Sequence, residues 1–133
     1  IYTEKIVENA KSMAKEFLKL DYDLVSGGTD THVLLIDLTN KSINGKKAEN
    51  ILGKAGIHLN KNMVPFDTKS PFITSGIRIG TPAITTRGMG EPEMIQIVDW
   101  IDKIINDPDN EKLCSDILLD VNELCSKFPI YKH

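Results

Sequence analysis

Apolar residues recur every three or four positions in four stretches of this chain, and each stretch predicts an amphipathic helix. From Thr3 to about Leu20 the stripe is Ile6, Ala10, Met13, Ala14 and Phe17, with Glu4, Lys5, Glu8, Lys11, Lys15 and Glu16 elsewhere around the wheel. A second stripe of Ala48, Ile51, Leu52 and Ala55 follows Asn44-Gly45, and Gly56 stands where a left-handed C-terminal cap belongs. The third begins at Gly90-Glu91-Pro92-Glu93, where Pro92 suits a first turn and the two acids face the positive end of the helix dipole. Its apolar positions are Met94, Ile97, Val98, Ile101, Ile104 and Ile105. Asn106 to Asn110, with Pro108, break the pattern before a last stripe of Leu113, Ile117, Val121, Leu124 and Phe128, which Pro129 stops.

Between the helices the period shortens. The run His32 to Leu38 is β-branched and apolar on both faces, which predicts a central strand, and Ser26-Gly27-Gly28-Thr29-Asp30 before it has the composition of a turn. Gly76-Ile77-Arg78-Ile79-Gly80 alternates, so as a strand it sends both isoleucines to one face and Arg78 alone to the other. Strands between Ile57 and Ile84 have connections too short for crossover helices and should pair antiparallel. The expected architecture is a single α+β domain: a small antiparallel sheet covered on one face by helices.

The stretch from Asn60 to Gly88 differs from the rest in composition. It holds Gly76, Gly80 and Gly88, three prolines, seven Ser or Thr, and four cations (Lys61, Lys69, Arg78 and Arg87) around a single carboxylate, Asp67. Such a segment is a shaped surface of loops and short strands. Arg78 has two readings: a surface arginine on an edge strand, or an anion clamp. In the second, flanking glycines clear the space and Thr74, Ser75 and Thr81 line a polar pocket, while the guanidinium fork makes paired bonds to a carboxylate. Asn62 is either a turn former or a group that offers donor and acceptor together to a heterocycle. Arg87 reads as structural, bonding loop carbonyls. Asp30 and His32 suggest acid–base chemistry only superficially, because no serine or cysteine nucleophile has a matching context; a turn aspartate and a strand-start histidine account for them.

Composition narrows the classes. At 133 residues, a net charge of −3 and 41% hydrophobic content, the chain can bury a core of its own and has little attraction for nucleic acid. No apolar run approaches the roughly 20 residues of a membrane span, and no secretory signal opens the chain, so a soluble, cytoplasmic protein is expected. Cys114 and Cys125 lie eleven residues apart on one predicted helix, roughly 16 Å at ~1.5 Å per residue, too far to pair with each other. They argue for a reducing compartment, and neither has metal-ligand spacing. With no initiator methionine and a helix starting at once, the sequence is expected to be a piece of something longer.

Three segments together, SGGTDTHVLLIDL, AENILGKAGIHLNKNMVP and SPFITSGIRIGTPAITTRGM, resemble in order and spacing the C-terminal part of serine hydroxymethyltransferase. The resemblance extends over essentially the whole chain. It implies the C-terminal small domain of a fold-type I pyridoxal-phosphate enzyme that interconverts serine plus tetrahydrofolate with glycine plus 5,10-methylenetetrahydrofolate, as a homodimer or dimer of dimers. It also implies that Arg78, the arginine of SGIR, binds the serine or glycine carboxylate and that Asn62, the second asparagine of NKN, contacts the folate. It assigns no chemistry to Asp30, His32 or Arg87. The family's cofactor lysine follows a Thr-Thr-Thr-His-Lys motif, and no lysine here has that context. No catalytic, cofactor-binding or metal residue is therefore expected in these residues, and alone they should be inactive. The rival expectation is a free-standing carboxylate-binding or dimerisation module without catalysis.

Overall fold

The two periods sort the chain into a sheet and a helical layer. A computed structural model describes residues 2–25, 33–81 and 87–128. The elements are α1 (Tyr2–Lys19), β1 (Asp23–Leu24), β2 (Val33–Asp37), α2 (Gly45–Lys54), β3 (Asn60–Asn62), β4 (Gly76–Gly80), α3 (Glu91–Asn106) and α4 (Glu111–Lys127). The turn at 26–30 with Asp30, together with His32, Ile84 and Pro129, lies outside the described residues.

All strand pairings are antiparallel, in the order β1-β2-β4-β3. The predicted central strand is central, since β2 lies between β1 and β4. Within the ladder Leu34 faces Ile79 and Ile36 faces Ile77, and all four side chains are buried beneath the helices. The α+β architecture expected from the sequence is the one observed. Helices α1 and α2 contact the sheet, α3 packs along α1 and against α2, and α4 packs against α2 and α3. The core they enclose includes Met13, Phe17, Leu52, Met94, Val98 and Ile101.

Local chemistry sets the helix ends. Asn44 caps α2 by accepting from the Lys47 N–H at 2.8 Å, and Asn110 caps α4 by accepting from the Leu113 N–H at 2.9 Å. Glu93 reaches back to the Gly90 N–H at 2.8 Å at the start of α3. Gly56 has φ +83° just past α2, the left-handed conformation its position predicted, and α4 presses Leu118 and Val121 onto it. At the far end of α4, Arg87 Nη1 donates to Phe128 O at 3.1 Å and Cys125 O at 3.5 Å. The structural reading of Arg87 is right in kind, but its acceptors are helix-terminal carbonyls, where positive charge also complements the dipole.

Tyr22 joins the turn after α1 to α3. Its ring packs edge-on against Phe17 with centroids 5.3 Å apart, Lys41 Nζ lies 4.1 Å above it, and its hydroxyl donates to Asp102 at 2.8 Å. Burial first, and then the Asp102 carboxylate, push its phenol far above the ordinary value of 10.0. Tyr22→Phe is expected to cost roughly 1.5–3 kcal/mol, the range for a hydrogen bond to a charged acceptor. The urea midpoint checks it, and Asn106, which also donates to Asp102 at 3.0 Å, keeps that carboxylate partnered in the variant.

Candidate functional site

Because Ile77 and Ile79 are drawn into the core, Arg78 between them must point the other way. Register then decides its neighbours. Arg78 lies opposite Leu35 on β2 and opposite Asn60 on β3, so these three side chains share the open face of the sheet. Asn62, two residues further along β3 and opposite Gly76, is on the same face, diagonal to Arg78 and within ~7–8 Å of it by strand geometry. Arg78 is exposed there, and among the described residues no hydrogen bond or ion pair holds its guanidinium. The reading of Arg78 as an edge-strand residue does not stand, since β4 lies between β2 and β3 and the edge strands are β1 and β3.

Asn62 is half-buried, with Nδ2 donating to Met63 O at 2.9 Å. Asn60 was not singled out from the sequence, yet it is the asparagine directly across from Arg78. The signal was present in NKN itself, because strand alternation puts both asparagines on one face and Lys61 on the other. Lys61 does turn to the helical side, where its ammonium meets Glu49 of α2 at 3.7 Å.

The hydroxyls expected to line a pocket beside Arg78 are used inside the protein instead. Thr74 Oγ1 donates to Gly76 O at 3.0 Å, Thr81 Oγ1 donates to Ile6 O at 2.9 Å, and Ser75 Oγ donates to Asp67 at 2.7 Å. All three residues are buried. Gly76 has a stricter reason than clearing space for a ligand. A Cβ there would lie 2.7 Å from Val64 Cγ1 and 2.9 Å from the carbonyl oxygens of Asn62 and Ile36, so only glycine lets the three strands meet.

The loop from β3 to β4 is organised around the stretch's one carboxylate. Asp67 accepts from the N–H groups of Val64 (3.2 Å), Lys69 (2.9 Å) and Ser75 (2.8 Å) as well as from the Ser75 hydroxyl. Val64 stands two residues beyond Asn62 and Ser75 one residue before β4, so a single side chain ties the exit of β3 to the entrance of β4. Around this hub the loop holds Phe66 and Thr74 at φ 60° and 62° and presents Phe66 and Phe72 almost fully to solvent. The donors, led by the Lys69 amide, hold the Asp67 carboxyl well below its ordinary 3.8, outweighing the opposing effect of partial burial.

A carboxyl depressed in the folded state contributes stability above its unfolded value and loses it as pH falls toward the folded one. Asp67→Asn is therefore expected to lower the urea midpoint near neutral pH, and the gap from the parent should close as pH is lowered beneath 3.8. Urea titrations across that range check the convergence.

Comparison of the sequence with known proteins assigns the chain to a family. The family model described as serine hydroxymethyltransferase matches residues 1–101. Over 131 residues, 98% of the chain, it is 52% identical to the serine hydroxymethyltransferase of Coxiella burnetii, and over 130 residues, again 98%, it is 52% identical to that of Dichelobacter nodosus. The chain spans 31% of the length of each of these relatives. With a family model covering residues 1–101 and 52% identity sustained over 98% of its length, the chain belongs to the serine hydroxymethyltransferase family.

Proposed function

We propose that these residues form the C-terminal small domain of a serine hydroxymethyltransferase, a cytoplasmic homodimer or dimer of dimers that transfers the hydroxymethyl carbon of serine to tetrahydrofolate. The products are glycine and 5,10-methylenetetrahydrofolate, and the cofactor is pyridoxal 5'-phosphate. The observation that carries this reading is the open face of the sheet, where Arg78, a cation with no partner among the described residues, stands opposite Asn60 and diagonal to Asn62. The solvent-facing Phe66 and Phe72 support the reading that the β3–β4 loop is met by further polypeptide.

Each residue has a role its chemistry suits. The planar guanidinium of Arg78 takes the amino acid carboxylate through two parallel charge-assisted bonds, fixing both the position and the rotation of the substrate. Orientation of that kind converts binding energy into rate, because the bond to be broken is held in its reactive geometry. The Asn62 amide offers a donor and an acceptor to the folate ring system. Pyridoxal phosphate, when bound, supplies an electron sink for the reacting carbon. Among the described residues of the open face there is no lysine to attach it, and Lys61 faces the helices. In this reading the cofactor's anchors belong to other polypeptide, and these residues by themselves are expected to show no turnover.

In the full-length protein, Arg78→Ala should weaken serine use by roughly thirty- to several-thousand-fold, since losing one partner of a desolvated charge pair costs ~2–5 kcal/mol and each tenfold is about 1.4 kcal/mol. Cofactor absorbance should be unchanged. Steady-state kinetics with serine check this, and a near-parental serine kcat/KM would overturn the clamp. Asn62→Ala should raise the tetrahydrofolate KM while leaving the serine KM close to the parent. Equal changes in both would remove Asn62 from the folate site.

A further inference from the structure

Helix α2 grips both strands that carry the candidate ligand residues, and it grips them with polar groups. At its first turn the backbone N–H groups of Gly45 and Lys46 lack an intrahelical carbonyl. They donate to Thr74 O at 3.1 Å and Ile73 O at 2.9 Å, on the approach to β4. Glycine is required for that approach, because a Cβ on residue 45 would collide with Thr74 Oγ1 and Gly76 O. One turn along, Glu49 Oε2 accepts from the backbone N–H of Lys61 at 2.8 Å, and Oε1 faces the same residue's ammonium at 3.7 Å. Of these two, the backbone bond matters more. The ion pair is partly exposed and loose, whereas a carboxylate accepting a short bond from a main-chain N–H fixes the main chain itself.

The two site strands differ in how far they need such help. Arg78 sits on a five-residue strand bonded on both sides, by β2 and by β3. Asn62 sits at the end of a three-residue edge strand bonded only by β4. Its neighbour Lys61 is the residue that Glu49 pins. Loss of Glu49 therefore releases the Asn60–Lys61 peptide unit, one residue before Asn62, on the edge strand, while β4 keeps its pairing with β2 around Arg78.

We propose that Glu49 is a positioning residue for Asn62: by holding the Lys61 N–H it sets where the Asn62 amide meets the folate. The inference rests on the reading of Asn62 as a folate contact, and it adds a residue on the helical side of the sheet that touches neither substrate.

Full-length Glu49→Ala, Glu49→Gln, Asn62→Ala and the Glu49→Ala/Asn62→Ala double variant, compared by steady-state kinetics, test it. Glu49→Ala should raise the tetrahydrofolate KM about tenfold, the scale of one charge-assisted hydrogen bond, with the serine KM within about twofold of the parent. Glu49→Gln keeps an oxygen for the Lys61 N–H and should recover most of the loss. The double variant should be no worse for folate than Asn62→Ala alone, because the two lesions act through one group. Should Glu49→Ala not fold, Glu49→Asp, a methylene shorter, should give the same selective defect in milder form.

Parental folate KM in Glu49→Ala beside a raised one in Asn62→Ala would overturn the inference and leave the Asn62 assignment standing. A parental folate KM in Asn62→Ala would instead remove the assignment beneath it. Serine and folate KM rising together in Glu49→Ala, or no recovery in Glu49→Gln, would reduce Glu49 to general support of the fold and overturn the proposal.

Discussion

The open face of this protein exists because two isoleucines cannot leave the core. Ile77 and Ile79 lie across from Ile36 and Leu34 in the β2–β4 ladder, and burying each such side chain stabilises the fold by about 1.5–3 kcal/mol. Slipping the register by one residue would bury a guanidinium and expose two aliphatic chains. The direction of Arg78 is therefore enforced by hydrophobic packing on the opposite side of the sheet. Close strand contact at Gly76 strengthens the constraint, since no other residue type lets Val64 and the neighbouring carbonyls come so near.

Polar contacts then refine what burial sets coarsely. Asp67 joins the end of one site strand to the start of the other with four short bonds, and α2 braces both from behind. Few of these groups face the open side. The arrangement separates the residues on the open face (Arg78, Asn60 and Asn62) from those bonded behind it or within the loop (Asp67, Thr74, Ser75 and Glu49). The separation also explains why hydroxyl-rich sequence around Arg78 does not become a hydroxyl-lined pocket: the hydroxyls of Thr74, Ser75 and Thr81 each donate to a backbone carbonyl or the Asp67 carboxylate.

Much of this was legible in the sequence, and the reasons differ by element. Long helices announce themselves because many apolar positions repeat one period, and Asn44, Gly56 and Gly90 marked ends through capping chemistry that is local. The Ile-Arg-Ile alternation gave the face of Arg78 for the same reason. Strand order was not legible: β4 enters between β2 and β3 through pairings between distant residues, which no short-range pattern encodes. The two-residue β1 was too short to show a period, and Asn60 was passed over although its alternation with Asn62 was visible. The roles of Asp67 and Glu49 were hidden because each acts on backbone N–H groups, and a main-chain donor looks the same in every sequence.

At the rim of the sheet, the Glu49 contact has a bearing on solubility. An unpaired strand margin offers its amides to any passing extended peptide, and proteins that leave such margins bare tend to assemble edge to edge. Here the central amide of the outermost ribbon is already bonded to a charged group carried on a helix, and the ammonium next to it adds a hydrated obstacle. Strand addition on that side would have to displace both, so among the described residues the ribbon closes that margin of the sheet.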